Sequence, residues 1–265
     1  MNPFHQLHAP GALLILPNAW DAGSARIIES RGAPAIATSS AAVAWAGGYP
    51  DGNALPPSTL TRIIESITRV IHVPLSVDSE AGYASDPAQV GENIFRFASA
   101  GAMGINIEDG TEPPDLLCRK IEAAKRGAER AGVELFVNAR IDVLLKQLVP
   151  HEQAIEEALA RAARYCNAGA DGIFLPLVAD ANEIETVVRA IDPLPLNVLA
   201  YPGVPPAAEL RRLGVRRLSA GAAIGRAALA LTSRLAERFL ADGDSDALYE
   251  HVGERIDLNA LFPAQ

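Results

Sequence analysis

Two carboxylates, Asp78 and Glu80, follow a short apolar run, Val73-Pro-Leu-Ser-Val77, and lead through Gly82 to Ser85-Asp86-Pro87. An apolar run of this length bounded by turn residues reads as a buried strand, and Ser-Asp-Pro reads as a helix start. The two acids therefore sit where a strand gives way to a loop, the edge at which α/β enzymes do their chemistry. Other apolar runs deliver polar residues to the same kind of position: Asn18 and Asp21, Ser39 and Ser40, Glu108 and Asp109, Asn138 and Arg140, Asn197, and Ser219. Carboxylates on adjacent strand ends repel unless a cation lies between them. Asp78, Glu80 and Glu108 are hard oxygen donors suited to Mg²⁺, with Mn²⁺ as the alternative, held directly or through water. The competing reading is that these acids pair with Arg140 or cap the helices that follow. Arg140 is suited to grip a carboxylate bidentately. Ser39 and Ser40 offer hydroxyl and backbone N–H groups to a second carboxylate or a phosphoryl group, or else they cap a helix. His5, His8, His72, His151 and His251 are scattered, and none ends a strand, so a histidine zinc site has no support.

Positioning these residues takes eight alternating units. Strands are expected at Leu13–Leu16, Ala35–Thr38, Val73–Val77, Gly104–Ile107, Glu134–Val137, Gly172–Leu175, Leu194–Leu199 and Arg217–Ser219. Helical stretches lie between them, near residues 22–31, 58–71, 86–100, 115–131, 151–168, 181–190 and 205–213, and one from Ala222 to Leu240 closes the series. The segment from Ser39 to Ser58 reads as a long loop. Gly32, Gly101, Gly132, Gly169 and Gly214 each stand where a helix must end and turn into the next strand. Strands apolar on both faces, joined by crossovers of this length, point to a closed (β/α)8 TIM barrel over residues 1–240, with an open doubly wound sheet as the alternative. Residues 241–265 read as a polar hinge, Ala241–Asp246, and a helical tail from Ala247 to Val252, packed on the same barrel or on a partner subunit.

Composition agrees with this reading. The 265 residues are 49% hydrophobic but only 5% aromatic, which is enough for one large aliphatic core. A net charge of −9 and no basic run argue against nucleic acid as a partner. No apolar stretch approaches the ~20 residues that span a bilayer, and the N-terminus lacks the basic segment of a signal peptide. The two cysteines, Cys118 and Cys166, have no metal spacing, so a reduced, cytoplasmic setting is expected.

Asn18-Ala-Trp-Asp-Ala-Gly-Ser-Ala, Thr38-Ser-Ser, Gly48-Tyr-Pro-Asp51, Val77-Asp-Ser-Glu-Ala-Gly-Tyr, Asn106-Ile-Glu-Asp109 and Asn138-Ala-Arg-Ile-Asp142, in that order, resemble the isocitrate lyase/phosphoenolpyruvate mutase superfamily. The resemblance implies a (β/α)8 barrel with its C-terminal helix swapped between subunits of a homodimer or homotetramer. It also implies Mg²⁺-dependent cleavage or formation of C–C or P–C bonds in small 2-oxo or 2-hydroxy carboxylates through an enolate. Carried over by motif, Asp78 contacts the metal, Glu80 stands where many members have Asp, and Glu108 is the acid after the fourth strand. Arg140 binds the substrate carboxylate and stabilises the enolate, Ser39 and Ser40 hold that carboxylate's other oxygens, and Asp51 is a loop acid near the metal. The expected set is then Arg140, Glu108 and Asp51 as catalytic residues, Ser39, Ser40, Ala41, Tyr49, Arg140 and Asn197 around substrate, and Asp78, Glu80 and Glu108 at the metal.

One departure stands out. Lyases of the superfamily carry a Lys-Lys/Arg-Cys-Gly-His loop whose cysteine is the general acid. Here the segment after Glu108 is short, and Cys118 falls in a helical pattern with no Gly-His behind it, so it reads as structural. The mutase loop is missing too. Tyr49 and Tyr83 are the remaining proton-donor candidates. The expected activity is a C–C lyase or decarboxylase on a small 2-oxo dicarboxylate. The alternatives are a P–C enzyme of the phosphonopyruvate type and a catalytically weak 2-oxo acid binder.

Overall fold

A computed structural model describes residues 2–250 and 256–262. Its centre is a ring of parallel strands: β1 (Leu14–Leu16), β2 (Asn18–Ala19), β3 (Ile36–Thr38), β4 (Leu75–Asp78), β5 (Ala102–Glu108), β6 (Phe136–Arg140), β7 (Gly172–Phe174), β8 (Leu196–Leu199) and β9 (Arg217–Ser219). The hydrogen-bonded order runs β1-β9-β8-β7-β6-β5-β4-β3-β2. Its two ends, β1 and β2, are halves of one stretch split at Pro17, which has no N–H to give to a ladder. The half before Pro17 pairs with β9 and the half after it with β3. The chain closes the ring through this residue, and the fold is the expected (β/α)8 barrel.

Helices wrap the outside: α2 (Ala22–Ser30), α4 (Pro57–Thr68), α5 (Pro87–Ser99), α6 (Pro114–Arg130), α7 (His151–Asn167), α8 (Ala181–Ile191), α9 (Ala207–Arg212) and α10 (Ala223–Asp242). Their starts follow local chemistry. Asp21, Asp86 and Asp180 each accept a first-turn backbone N–H, satisfying donors that have no intrahelical partner. The five glycines expected at helix ends all have positive φ, a conformation that costs other residues energy. Helices α5 and α6 meet backbone to backbone. A Cβ added to Gly127 would stand 2.3 Å from Gly91 O, so neither position has room for a side chain. Helix α1 (Pro3–Gln6) plugs the N-terminal mouth of the barrel, with Phe4 fully buried against Gly104 and Phe136.

Three expectations are corrected. The stretch after Ser39 is not all loop. Helix α3 (Ser40–Ala46) begins there and is largely buried, so it has no polar face to give a period in the sequence. Strands β4 and β6 start later than expected and run to Asp78 and Arg140, while β5 starts earlier and runs to Glu108. These three side chains therefore stand on the last residues of strands, where the ladder fixes the backbone. Helix α10 continues through Ala241 to Asp242 and ends at Gly243 with φ 71°, so the polar hinge begins later. Beyond it a 3₁₀ turn covers Asp246–Leu248 and helix α11 covers Leu258–Leu261. Residues 251 and 252 of the expected tail helix, with His251, lie outside the described residues.

Candidate active site

The C-terminal ends of the strands surround a cavity of about 160 Å³. Asn18, Ser39, Ser40, Asp51, Asp78, Asn106, Arg140 and Ser219 form its polar wall, and Ala41, Leu145, Phe174, Pro176 and Leu199 its apolar one. Six of the expected site residues thus converge: Ser39, Ser40, Ala41, Asp51, Asp78 and Arg140. Asp51 comes from the Gly47–Leu55 connection and is exposed, and the others come from strand ends and the start of α3.

Asp78 is held by one oxygen. Its Oδ2 accepts from Ser40 N–H (3.0 Å) and Ser40 Oγ–H (2.7 Å), while Oδ1 is buried and has no hydrogen-bond partner. A buried carboxylate oxygen without a donor is costly, and a hard cation is one group that would satisfy it. Ser40 thus spends both its donors on Asp78. Ser39 Oγ caps α3, accepting from Ala42 N–H at 3.4 Å, and Ala41 lies in the first helical turn, whose N–H groups lack intrahelical partners.

Arg140 is clamped between two acids. Nε and Nη2 donate to the two oxygens of Asp142 at 2.7 and 3.2 Å, and Nη1 lies 2.7 Å from Glu108 Oε2. Burial works against its charge, but Glu108, Asp142 and Asp78 outweigh burial and hold its pKa above the ordinary value. Glu108 moves the other way. Burial, with Asp78, Asp142 and Glu80 adding to it, outweighs Arg140 and pushes the carboxyl up to about 8. Burial raises the Asp142 pKa as well, partly offset by Arg140, so two acids share one guanidinium.

Glu80 is 2% exposed and left-handed, at φ 46°. Its Oε2 accepts from Asn53 N–H and its Oε1 from Tyr83 Oη at 3.1 Å. Burial, partly offset by the Asn53 N–H and augmented by Asp78, raises its pKa. Glu80 and Glu108 thus stand behind the cavity wall, near enough to Asp78 to feel its charge, and among the described residues no three acids, histidines or cysteines cluster as a ready-made metal site. The fit to a divalent cation rests on the open oxygen of Asp78, with Asp51 on the same wall and Glu80 and Glu108 within electrostatic reach.

The remaining candidates lie apart. Tyr49 packs on the core and does not line the cavity. Asn197 sits below it, accepting from Ser219 Oγ at 3.1 Å. Asp21 caps α2. Asp109 is a structural anchor, accepting from Arg161 Nη1 (2.8 Å), Tyr165 Oη (2.7 Å) and Asp142 N–H (2.8 Å). Asn138 donates to Asn106 Oδ1 at 2.9 Å. Burial raises Tyr83 well above its ordinary pKa, with Glu80 adding to it, and its hydroxyl points to Glu80. Cys118 lies inside α6, and only Asp109–Pro113 connect β5 to that helix. The expected loss of the cysteine loop is thus seen in the fold.

Asp142, Asn106 and the apolar wall were not singled out from the sequence as site residues. Asn106 and Asn138 lie two residues before Glu108 and Arg140, a spacing that puts side chains on the same face of a strand. That spacing was the available signal.

The phosphoenolpyruvate phosphomutase family model matches residues 4–240. An uncharacterized protein of Mycobacterium tuberculosis H37Rv is 37% identical over 246 residues, covering 91% of this chain and 90% of its own length. The oxaloacetate decarboxylase of Pseudomonas entomophila is 27% identical over 234 residues, covering 86% of this chain and 81% of its own length. A solved structure from Burkholderia cenocepacia J2315 superposes with a TM-score of 0.83 at 39% identity, covering 88% of this chain and 97% of that one. The chain belongs to the phosphoenolpyruvate phosphomutase family, within the isocitrate lyase/phosphoenolpyruvate mutase superfamily.

Proposed function

We propose that this protein is a Mg²⁺-dependent C–C lyase acting on a small 2-oxo dicarboxylate, with decarboxylation of an oxaloacetate-type substrate as its reaction. The observation that carries the reading is the pairing of Asp78, with one buried oxygen open, and Arg140 on the wall of a cavity sized for a few carbon atoms. Asp78 would hold the cation, with Asp51, Glu80 and Glu108 as partners directly or through water. The cation supplies Lewis-acid polarisation of a 2-oxo group and opposes negative charge on its oxygen.

The chain's own residues do the rest. Arg140 faces the substrate carboxylate and opposes the charge that grows as the bond β to the ketone breaks. Asp142 fixes the plane of that guanidinium, so orientation is prepaid. Ser40 fixes Asp78. Leu145, Phe174, Pro176 and Leu199 exclude water from one side. Among the described residues no cysteine, histidine, lysine or tyrosine lines the cavity. Decarboxylation tolerates this, because solvent can protonate the enolate, whereas retro-aldol cleavage needs a placed acid and base.

The test is pyruvate release from oxaloacetate, with 2-methylisocitrate, isocitrate and phosphonopyruvate assayed alongside. Turnover of oxaloacetate well above the spontaneous rate, lost in EDTA and restored by Mg²⁺, is expected. Cleavage of phosphonopyruvate instead would favour the P–C reading, which the family description supports. Tight oxalate binding without any turnover would favour a binder.

A second copy of the chain is proposed as the partner, as a dimer or tetramer with the region after residue 240 packed across the interface. Among the described residues most large exposed apolar side chains lie at this end of the chain: Ile224, Leu229, Phe239, Leu240, Tyr249, Ile256, Leu258 and Phe262. Leu240 is 84% exposed. A surface of this kind marks an interface. Sedimentation velocity at micromolar concentration should give a dimer or larger, and a monomer would overturn the assignment. No described helix is long and apolar enough to cross a membrane.

A further inference from the structure

Arg217 occupies a position in β9 that a barrel normally fills with a branched aliphatic residue. It lies two residues before Ser219, which lines the cavity, so its side chain points into the barrel one layer below the cavity floor. The side chain is 1% exposed. Nη2 reaches Asn106 Oδ1 at 3.3 Å and Ser76 Oγ at 3.5 Å, both long for hydrogen bonds. Nε and Nη1 have no partner, nor does Nδ2 of Asn197, its neighbour in register on β8. Among the described residues no carboxylate forms an ion pair with Arg217. Below it lies the Phe4 ring, 5.8 Å from the guanidinium carbon. His8 is also near, and burial, with Arg217 adding to it, keeps that imidazole neutral, with a pKa of about 3.

An unpaired buried guanidinium is a standing cost to the fold. Burial, partly offset by the charge of Asp78 above it, pulls its pKa down to about 10, which still leaves it charged at neutral pH. What lies above gives the charge a use. The cavity wall carries Asp51 and Asp78, and the one arginine on it is already engaged by Asp142 and Glu108. A dianionic substrate entering beside the cation that Asp78 would hold still meets the surrounding acids, and in a poorly polarisable interior a further fixed positive charge acts over several ångströms to offset them. Arg217 also touches Asn106, which forms part of the cavity wall.

We propose that Arg217 is a positioning residue for anionic substrates. Its unpaired charge beneath the floor steadies Asn106 and sets the potential that lets a dicarboxylate enter an acid-lined cavity, and the fold bears the cost in stability. This rests on the reading of the site as one for 2-oxo carboxylates.

The test compares the full-length wild type with Arg217→Met, Arg217→Lys and, as control, Arg216→Met. The Arg216 side chain donates to Pro193 O and meets Asp192 away from the cavity. Three readouts are taken: oxalate binding by calorimetry in Mg²⁺, kinetics on oxaloacetate, and melting temperature. For Arg217→Met, oxalate affinity should fall about tenfold and KM rise by a similar factor with a smaller change in kcat. Its melting temperature should stay level or rise by about 2–4 °C. Arg217→Lys should recover most of the affinity, and Arg216→Met should match wild type. Wild-type oxalate affinity in Arg217→Met overturns the inference alone. So does a large drop in its melting temperature or failure to fold, which would make Arg217 a structural residue. Wild-type protein that neither binds oxalate nor releases pyruvate overturns the functional reading as well.

Discussion

Arg140→Ala is expected to lower kcat/KM for the 2-oxo acid by about 10²–10³-fold, the range seen when one donor aimed at developing negative charge is removed. It should also weaken the fold, for a separate reason. Asp142 is fully buried and bonded to Arg140 through both oxygens. Removing the guanidinium strands that carboxylate, at a cost of about 3–5 kcal/mol. A melting temperature lower by roughly 10 °C is the corresponding shift for a chain of this size. Two companion variants separate the effects. Arg140→Ala with Asp142→Asn should regain much of the stability and none of the activity. Arg140→Lys keeps the charge but loses the planar fork that spans Asp142 and Glu108, so it should fold better than the alanine variant and still turn over poorly. Activity of Arg140→Ala within a few-fold of wild type would remove Arg140 from the carboxylate-binding role.

Asp78→Asn should divide stability from function in the opposite way. An amide oxygen can still accept from Ser40 N–H and Oγ–H, so the strand end stays in place. The oxygen without a partner is replaced by an amide NH2 group, and the like-charge pressure on Glu80 and Glu108 falls while Arg140 and Arg217 lose a favourable negative neighbour. These effects oppose one another, and the melting temperature of the metal-free protein should therefore change far less than in Arg140→Ala. Mn²⁺ affinity, read by electron paramagnetic resonance or calorimetry, should fall more than tenfold, and kcat/KM should fall by about 10³. Mn²⁺ binding equal to wild type would show that the cation, if held, is held elsewhere.

Much of this was legible from residue types and spacing. Helix ends at Gly32, Gly101, Gly132, Gly169 and Gly214 could be read because only a left-handed residue turns the chain so tightly, and that alone spaced the strands. Asp78 and Arg140 could be read because a charged residue directly after an apolar run has few places to be. Helix α3 was hidden because Ser40-Ala-Ala-Val-Ala-Trp-Ala46 is nearly all buried and shows no alternation of polar and apolar residues. The state of Glu80 was hidden as well. Its spacing to Asp78 suggests a shared ligand set, but a positive φ turns its carboxylate to Asn53 N–H and Tyr83 Oη, a choice of backbone conformation that spacing does not reveal. Arg217 was hidden because strands buried on both faces do not announce which side chains point into the barrel and which point to the helices.

The backbone contact between Gly91 and Gly127 sets how closely α5 and α6 pack. Helix α6 cannot slide or tilt against α5 without driving main chain into main chain, and Asp109, at the other end of the short connection, is bound to Arg161, Tyr165 and the Asp142 N–H. The Asp109–Pro113 segment is therefore pinned at both ends and has little slack with which to act as a door. The Gly47–Asn53 stretch, which puts Asp51 on the cavity wall, is exposed apart from Tyr49. It includes Gly47, Gly48 and Gly52, and it is held by Tyr49 N–H on Ala44 O, by Asn53 N–H on Glu80 and by the buried Leu55 beyond. Exchange of a bound molecule is expected on that side, where the exposed glycine-rich stretch and the loop acid Asp51 are the same piece of chain.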